Sequence, residues 1–431
     1  MRRLKRLGIV LLVVLIGAFA LAGVLSMTRG TPVEIVISEG EGAPPAIGDP
    51  LFEQMFELYT GTHIGGGNKV EQALNGNGTY PRLWQDLRAA QSTITVQMYY
   101  SMPGVVADTM SKILRERARA GVRVLLLLDA FGSQNLKKYW VDSLRAARVE
   151  VAVLRKLKWY TFHNTVDRSH VRVVVVDGRV AYTGGFGLAD YWLGDGLHDQ
   201  QWRESNVRFE GPAVMQLQAA FASAWAESTG ELIAGAKFFP PDGFAARGPV
   251  HAGLLFAQPT TGSTPAERFI ALTIAGSRRT LYIANSYFVP DDDHRRLLVH
   301  AARRGVDVRI LTVSEKTDVK TTLYAGRYRY EEFLKAGIRI YEYQPTMMHS
   351  KTIIADGLWG TIGSMNFDNR SMAFNNESNL VFLDATLGAE MNATFMADLA
   401  HSKEIKLEEF QRRGRWKRLL EGAAAMVSRI L

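Results

Sequence analysis

An internal repeat constrains the fold of this chain more than any other feature of its sequence. Each half runs through helix, strand, helix and strand in the same order, and the second helix of each half leads into a Gly-Val-x-Val run. Further along, His170 is matched by His349, and Glu204-Ser-Asn is matched by Glu377-Ser-Asn, again in the same order. Matches in the same order at near-constant offsets indicate a duplicated unit. We therefore expect two similar lobes.

The periodicity of apolar residues predicts the same elements in both copies. Two extended segments and the helix between them are expected at 94–100, 107–120 and 122–129, and again at 280–287, 294–304 and 306–313. Strands that alternate with helices predict a parallel or mixed sheet covered by helices. The fold class predicted from this pattern is α/β.

The amino terminus predicts a membrane segment. An uncharged run from Leu7 to Met27 follows a basic cluster and is long enough to cross a bilayer as one helix. A cleaved signal peptide is the alternative, since Ala18-Phe-Ala20 resembles a small-residue cleavage site. The length of the run favours a retained anchor, because the apolar part of a signal peptide is about 7–15 residues long. The basic cluster is expected to stay cytoplasmic, which places the rest of the chain on the outer face of the cell membrane.

Composition divides the chain into six segments. A tether rich in Gly, Pro and acidic residues follows the anchor, and a Pro/Gly-rich linker separates the halves. A basic helix with an apolar stripe is expected at the end, lying either at a membrane interface or on its own core. The predicted bounds are 1–30 for the basic tip and anchor, 31–50 for the tether, 51–237 for the first lobe, 238–258 for the linker, 259–400 for the second lobe and 401–431 for the basic amphipathic helix.

The charge balance and the absence of cysteine limit the partners and the chemistry. The 51 basic residues against 43 acidic ones give a net charge of +8. Such a balance suits a membrane surface, a nucleic acid or a phosphorylated substrate, and equally a mildly basic solvated surface. Because the chain has no cysteine, disulfides, thiolate metal sites and cysteine nucleophiles are excluded.

The two histidine strands predict one shared site. Strands from a duplicated unit can meet across a pseudo-twofold interface, so that His170 and His349 flank a single substrate. A neutral imidazole can attack while a protonated one donates, since the ordinary pKa of histidine lies near neutrality. Lys351 would place positive charge beside the nonbridging oxygens of a phosphodiester, and Ser364 and Asn366 would add neutral donors.

Four carboxylates repeat around these strands. Glu204 and Glu377 are expected to hold a ring nitrogen of a histidine and fix its tautomer, with ordinary surface carboxylates as the alternative. Asp177 and Asp356 are each followed by glycine. They are expected to order a strand end or simply to form a turn.

The second copy resembles the phospholipase D superfamily, whose signature is His-x-Lys, four residues, Asp, six residues, then Gly-Ser and an Asn. Every position is filled here, by His349, Lys351, Asp356, Gly363, Ser364 and Asn366. Segments that are similar to the cardiolipin synthase branch are Tyr287-Phe-Val-Pro290, Tyr341-Glu-Tyr-Gln-Pro345 and Asn369-Arg-Ser371. The resemblance implies two fused α-β-α sandwich lobes with mixed sheets and one active site at their interface. It also implies a phosphohistidine intermediate and no metal or other cofactor.

The first copy departs from this signature. Arg172 replaces the lysine, Gly187 stands where the asparagine is expected, and Gly185 stands where the second copy has serine. Arg172 keeps the positive charge, although a planar guanidinium does not occupy the volume of an ammonium. The missing asparagine removes a hydrogen-bond donor, so weakened or altered activity is one expectation.

The family resemblance implies a phosphatidyl transferase that makes cardiolipin from phosphatidylglycerol at a membrane. We expect no nucleic-acid partner, and the oligomeric state is left open. The alternatives are a phospholipid hydrolase, a phosphodiesterase or nuclease of the same superfamily, and a noncatalytic lipid-binding protein with a decayed first motif. The expected site consists of His170 and His349 as the catalytic pair, Arg172, Lys351, Ser364 and Asn366 as phosphate ligands, and Asp177, Asp356, Glu204 and Glu377 as orienting carboxylates.

Overall fold

Within the described residues, the first half of the chain forms seven strands and five α-helices after an amino-terminal helix. The computed structural model describes residues 2–27, 33, 36, 44–156, 168–260 and 262–426. The helices are α1 (Arg2–Met27), α2 (Pro50–Thr60), α3 (Asn75–Ala89), α4 (Val105–Arg119), α5 (Lys138–Ala146) and α6 (Ala213–Thr229). The strands are β1 (Gly65–Leu74), β2 (Thr93–Met98), β3 (Arg123–Asp129), β4 (Glu150–Leu154), β5 (Val173–Val176), β6 (Val180–Gly184) and β7 (Ser205–Glu210).

The second half repeats these elements and adds a short carboxyl-terminal part. Its strands are β8 (Val250–Ala257), β9 (Thr280–Asn285), β10 (Asp307–Val313), β11 (Arg339–Tyr343), β12 (Lys351–Ala355), β13 (Trp359–Gly363), β14 (Glu377–Leu383) and β15 (Ser402–Ile405). Its helices are α7 (Pro265–Gly276), α8 (Asp292–Arg303), α9 (Lys320–Lys335), α10 (Asn369–Ala373), α11 (Ala385–Ala400), α12 (Leu407–Gln411) and α13 (Arg415–Met426). The helices and strands predicted in both copies are confirmed, with bounds that differ by a few residues.

A 15-stranded sheet carries the internal symmetry of the fold. From its centre one half reads β1-β7-β6-β5-β2-β3-β4, and the other reads β8-β14-β13-β12-β9-β10-β11, with β15 on the outer edge. Each strand from β8 to β14 therefore matches the strand numbered seven lower, which confirms the predicted duplication. Strands β2, β3 and β4 are parallel while β5 runs antiparallel to β2, so the sheet is mixed as predicted.

Helices cover both faces of the sheet. Successive residues of β3 point to opposite sides, so that Leu125 and Leu127 join one apolar cluster and Leu126 joins another. Strands buried on both faces appear in sequence as continuous apolar runs, and this explains why they were predictable. One cluster includes Phe221 of α6 and Phe395 of α11. This shared core fixes the two lobes relative to each other.

Two predicted segments differ from the structure. The expected linker 238–258 contains β8, which pairs with β14 along its length and with β1 near Val250. Only the part before β8 acts as a connection. The expected single helix over 401–431 instead begins with β15, which pairs with β11, and continues as α12 and α13. Both strands were missed because their pairing partners lie far away in sequence.

The predicted membrane anchor lies in α1. The side chains of this helix are described at residue 6 and at residues 8–21, so part of the run from Leu7 to Met27 lies outside the described residues, as does most of the tether 31–50. Among the residues that are described, no helix is both long enough and apolar enough to cross a membrane. The transmembrane segment therefore stays a prediction.

Candidate active site

Both predicted histidines lie at the junction of the two lobes, just before β5 and β12. The backbone N–H of His170 donates to the carbonyl of Asn376 at 3.0 Å, and that of His349 donates to the carbonyl of Arg203 at 2.7 Å. Asn376 directly precedes β14, and Arg203 lies two residues before β7. Each histidine is thus joined by its backbone to the opposite lobe.

A glutamate from the opposite lobe holds each imidazole. Nδ1 of His170 lies 3.0 Å from an Oε of Glu377, and Nδ1 of His349 lies 2.5 Å from an Oε of Glu204. All four side chains are buried. Because Nδ1 is engaged in both rings, Nε2 is the nitrogen that can attack a substrate or donate a proton. The expected contact between these glutamates and the histidines is present, and it crosses the lobe interface in both directions.

A cavity of about 410 Å³ opens over the two imidazoles. The side chains that line the cavity differ between the side of His349 and the side of His170. His349 contacts Trp202 at 4.8 Å and Trp192 at 5.5 Å between ring centroids, whereas His170 contacts Tyr99 at 4.9 Å. The second lobe contributes polar side chains to the wall, among them Asn366, Asp368, Arg370, Ser371 and Asn375. The repeat is therefore symmetric in its backbone and asymmetric in its lining.

Two buried cations occupy matching positions beside the histidines. Arg172 donates from Nη1 to the carbonyl of His170 at 2.5 Å, and Lys351 donates from Nζ to the carbonyl of His349 at the same distance. Arg172 lines the cavity, whereas Lys351 lies beneath its described lining. Arginine and lysine therefore play the same structural part in the two copies.

Burial and these cations set the protonation of the site. Burial lowers the pKa of both imidazoles well below the ordinary value of histidine, and the charges of Arg172 and Lys351 lower it further. Burial also lowers the pKa of Lys351 to about 7 and raises the pKa of Glu377 to about 8. Both rings consequently favour the neutral form, and an anionic substrate beside them would favour their protonated forms.

The first copy uses Trp192 where the second uses a serine. Ser364 donates from Oγ to Glu377 at 2.5 Å. At the matching Gly185 a Cβ atom would lie 2.4 Å from an oxygen of Glu204, so a side chain has no room there. Trp192 instead donates from Nε1 to Glu204 at 3.1 Å. The indole N–H thus replaces the serine hydroxyl.

The missing asparagine of the first copy also involves Trp192. A Cβ atom at Gly187 would lie 2.8 Å from Cζ3 of Trp192, because the six-membered ring of the indole fills the space beside this glycine. Trp192 is therefore linked to both departures: its N–H replaces the serine hydroxyl as a donor to Glu204, and its ring, together with the carbonyl of Tyr100, fills the space beside Gly187.

The predicted phosphate ligands Ser364 and Asn366 have different places. Ser364 is fully buried, where its hydroxyl donates to Glu377 and accepts from the backbone N–H of Ser378 at 2.9 Å. It does not line the cavity, and its contact with phosphate stays a prediction. Asn366 does line the cavity, and its buried Oδ1 has no hydrogen-bond partner among the described residues. Its amide is free to turn an N–H towards a substrate oxygen.

Asp177 and Asp356 order strand ends, which is one of the two roles expected of them from the sequence. Asp177 accepts hydrogen bonds from the backbone N–H groups of residues 91, 92 and 93, and Asp356 accepts them from residues 278, 279 and 280. Both adopt positive φ, at 52° and 55°. The motif aspartates thus fix the loops that lead into β2 and β9, and they contact neither histidine.

Several cavity residues were missed from the sequence. The side chain of Tyr287 donates to Asp318 at 2.8 Å, and burial raises the pKa of Asp368 to about 7. Trp202 stands two residues before Glu204, where the second copy has Asn375 two residues before Glu377. Comparing the two copies at this position gives a signal, because Trp202 and Asn375 both line the cavity.

Known proteins share this arrangement in sequence and in fold. The family described as "Cardiolipin synthase, PLD-like domain" matches residues 83–225 and 270–399. A cardiolipin synthase of Geobacillus kaustophilus is 31% identical over 358 residues, which are 83% of this chain and 71% of that protein. A probable cardiolipin synthase of Bacillus subtilis is 30% identical over 368 residues, 84% of this chain and 72% of that protein.

One solved structure shares the fold at low sequence identity. A phosphatidylserine synthase of Haemophilus influenzae superposes with a TM-score of 0.67 at 11% identity. The match covers 88% of this chain and all of that one. At this identity the likeness shows a common fold alone.

Proposed function

The chain belongs to the cardiolipin synthase, PLD-like domain family, and from this membership we propose that it transfers a phosphatidyl group between two molecules of phosphatidylglycerol. The products are cardiolipin and glycerol. The observation that carries the proposal is the pair of buried imidazoles over one cavity, each held through Nδ1 by a glutamate of the opposite lobe. Two such rings supply the nucleophile and the acid that exchange of a phosphodiester needs.

The reaction proceeds in two displacements at phosphorus. In the first, Nε2 of one neutral histidine forms a bond to phosphorus, the bond to the glycerol oxygen breaks, and the other histidine gives its proton to that oxygen. In the second, the free hydroxyl of another phosphatidylglycerol attacks the phosphatidyl-histidine and passes its proton to the other histidine. Arg172, with Lys351 beneath it, offsets the negative charge on the nonbridging oxygens in both steps.

The carboxyl groups of Glu204 and Glu377 keep each ring in the tautomer that leaves Nε2 free, and the ionised form of either group stabilises a ring that becomes positively charged. Ser364 and Trp192 hold the carboxylates in turn. Asn366 supplies a neutral donor at the cavity wall.

Apolar side chains at the cavity mouth favour a lipid over a nucleic acid. Phe131 is 48% exposed and lies over the guanidinium of Arg168, which lines the cavity. Tyr191 is 39% exposed and stacks on Trp202, which also lines it. A nuclease groove would instead present basic side chains along a path for the backbone.

Attachment to the cell membrane completes the proposal. The uncharged run Leu7 to Met27 falls within α1, and the described apolar side chains of this helix are exposed along its length. A helix of this kind needs a nonaqueous partner. The basic cluster before it favours a single-pass anchor with a cytoplasmic amino terminus and the catalytic lobes on the outer face.

Labelled phosphatidylglycerol vesicles test the function. The purified full chain is incubated with lipid labelled in the terminal glycerol and, separately, in the acyl chains, and the products are separated. We expect cardiolipin with an equal amount of free glycerol from wild type. His170→Ala and His349→Ala are expected to lose at least about 10³-fold in rate, because a covalent nucleophile and its acid act as one unit. His251→Ala, at an exposed histidine away from the cavity, serves as the matched control.

The other outcomes separate the alternatives. Phosphatidic acid without cardiolipin would indicate a hydrolase. Cleavage of DNA or RNA without any lipid product would overturn the lipid substrate. Equal inactivity of wild type and His349→Ala would indicate a lipid-binding protein.

A further inference from the structure

The carboxyl-terminal helix α13 presents its apolar face to the outside of the protein. Trp416 and Met426 are 80% and 81% exposed, and Leu419, Leu420 and Ala423 are exposed between them. At 100° per residue these side chains fall on one face of the helix. Soluble proteins usually bury such a stripe, and its exposure here marks a surface that meets another apolar phase.

The opposite face of α13 is firmly docked. Ala424 packs in a small apolar cluster with Ala325 of α9 and with Val289. Glu421 is buried and forms an ion pair of 2.8 Å with Arg413. The helix is therefore held in a defined orientation, and the fold itself turns the apolar stripe outward.

The docked helix runs towards the cavity. Arg413 lies near Glu331, Gly422 lies against Tyr328, and Ala424 packs with Ala325, so α13 is antiparallel to α9. The next turn of α9 carries Thr322, and Val319 caps the helix; both line the cavity. The helix that carries the exposed stripe thus runs along α9 towards the part of the cavity wall formed by Val319 and Thr322.

Basic residues flank the stripe. Arg415, Lys417 and Arg418 are exposed, and Arg412 precedes them at the surface. The single acidic residue of α13, Glu421, is buried and paired. An apolar stripe with a cationic border fits the interface of a bilayer that carries negative headgroups.

We propose that α13 lies in the headgroup region of an anionic phospholipid bilayer and holds the cavity mouth against that surface. The inference rests on the proposed lipid substrate, which must enter the cavity from a bilayer. Attachment by α1 alone would tether the lobes without orienting them. With α13 at the interface, the catalytic histidines face the lipid headgroups.

A single-cysteine probe tests this placement. Since the chain has no cysteine, Leu420→Cys can be labelled alone with an environment-sensitive dye, and Leu232→Cys beyond α6, which is also exposed, is the matched control. The full chain is placed in nanodiscs of phosphatidylglycerol mixed with phosphatidylcholine. We expect lipids that carry a spin label near the headgroup to quench the dye at residue 420 and not the dye at residue 232.

Charge removal gives the second measurement. Lys417→Gln is expected to lower the ratio of membrane-bound to solvent-exposed dye at residue 420 about fivefold. The reason is that each basic residue near an anionic surface contributes about that factor to binding. Lys112→Gln on the exposed side of α4 should leave the ratio unchanged. An unquenched dye at residue 420 would overturn the proposal, as would dimers cross-linked through residue 420 in place of quenching.

The two proposals fail separately. Quenching at residue 420 without any cardiolipin formed would overturn the proposed reaction and support the bilayer contact. Cardiolipin formed while the dye at residue 420 stays in water would overturn the bilayer contact and support the reaction.

Discussion

At the scale of single residues, Trp192 explains how the first motif can depart from the family signature. Its indole N–H binds Glu204 in the way that the hydroxyl of Ser364 binds Glu377. Glu204 in turn holds His349, which belongs to the intact copy. The first motif thus supports the second through Glu204, and weakened activity caused by its departures stays a prediction.

Trp192→Phe tests this support. The ring remains while the N–H donor to Glu204 is lost, and we expect kcat to fall about tenfold with KM little changed, because partners that orient a catalytic ring typically contribute 10–100-fold. Gly185→Ser alone should also lower activity, since its side chain would clash with Glu204. In the double variant Trp192→Phe with Gly185→Ser the smaller ring no longer holds Glu204 in place, so its carboxylate can move away from residue 185 and accept from the serine. Part of the rate should then return. Additive losses in the double variant would contradict the exchange of roles.

Lys351 gives the reaction a pH dependence of its own. Burial lowers its pKa to about 7, so the ammonium is charged below that pH and becomes neutral above it. We therefore expect kcat/KM, which reports the free enzyme, to fall as the pH rises through about 7. Lys351→Arg should remove this decrease in kcat/KM at higher pH, because arginine keeps its charge. Asp368→Asn is the matched control: it removes a second group with a pKa of about 7 and should leave the decrease in place.

Asp177 and Asp356 act at the scale of secondary-structure elements. Each ties a loop to a strand end through three backbone N–H groups, so its loss affects the fold before it affects the site. Asp356→Ala is expected to lower the free energy of unfolding by about 3 kcal/mol, given about 1.5–3 kcal/mol for hydrogen bonds to charged groups. The rate per folded molecule should stay unchanged. Urea unfolding and kcat on the same samples check both, and a lower kcat at unchanged stability would support the orienting role instead.

The elements that the sequence predicted are those whose signal is local. Buried strands such as β3 and the helices beside them carry an apolar period within a few residues. The strands β8 and β15 carry no such signal, and their partners β14 and β11 lie more than 50 residues away. The same limit applies to the site. His349 and Lys351 follow from a short motif, whereas Trp192 and Trp202 gain their roles from contacts that only the packed lobes create.

At the scale of the whole molecule, the two lobes share one site through crossed contacts. The sequence suggested that a glutamate holds a histidine, but it did not determine which pairs form, because that depends on how the lobes meet. In the structure Glu204 reaches His349 and Glu377 reaches His170. Neither lobe therefore contains a complete pair, and the shared core around Phe221 and Phe395 becomes part of the catalytic arrangement.

The pairing of each histidine with the glutamate of the opposite lobe can be tested separately for the two imidazole rings. In protein labelled with ¹⁵N-histidine, Glu204→Gln should shift the ring nitrogens of His349 and leave those of His170 unchanged, while Glu377→Gln should do the reverse. The reason is that an amide no longer accepts the Nδ1 proton as a carboxylate does, so the other tautomer gains population. Glu71→Gln, at a half-exposed carboxylate on β1, is the control that should shift neither ring. Shifts confined to the histidine of the same lobe would contradict the crossed arrangement, and with it the need for both lobes to build one active site.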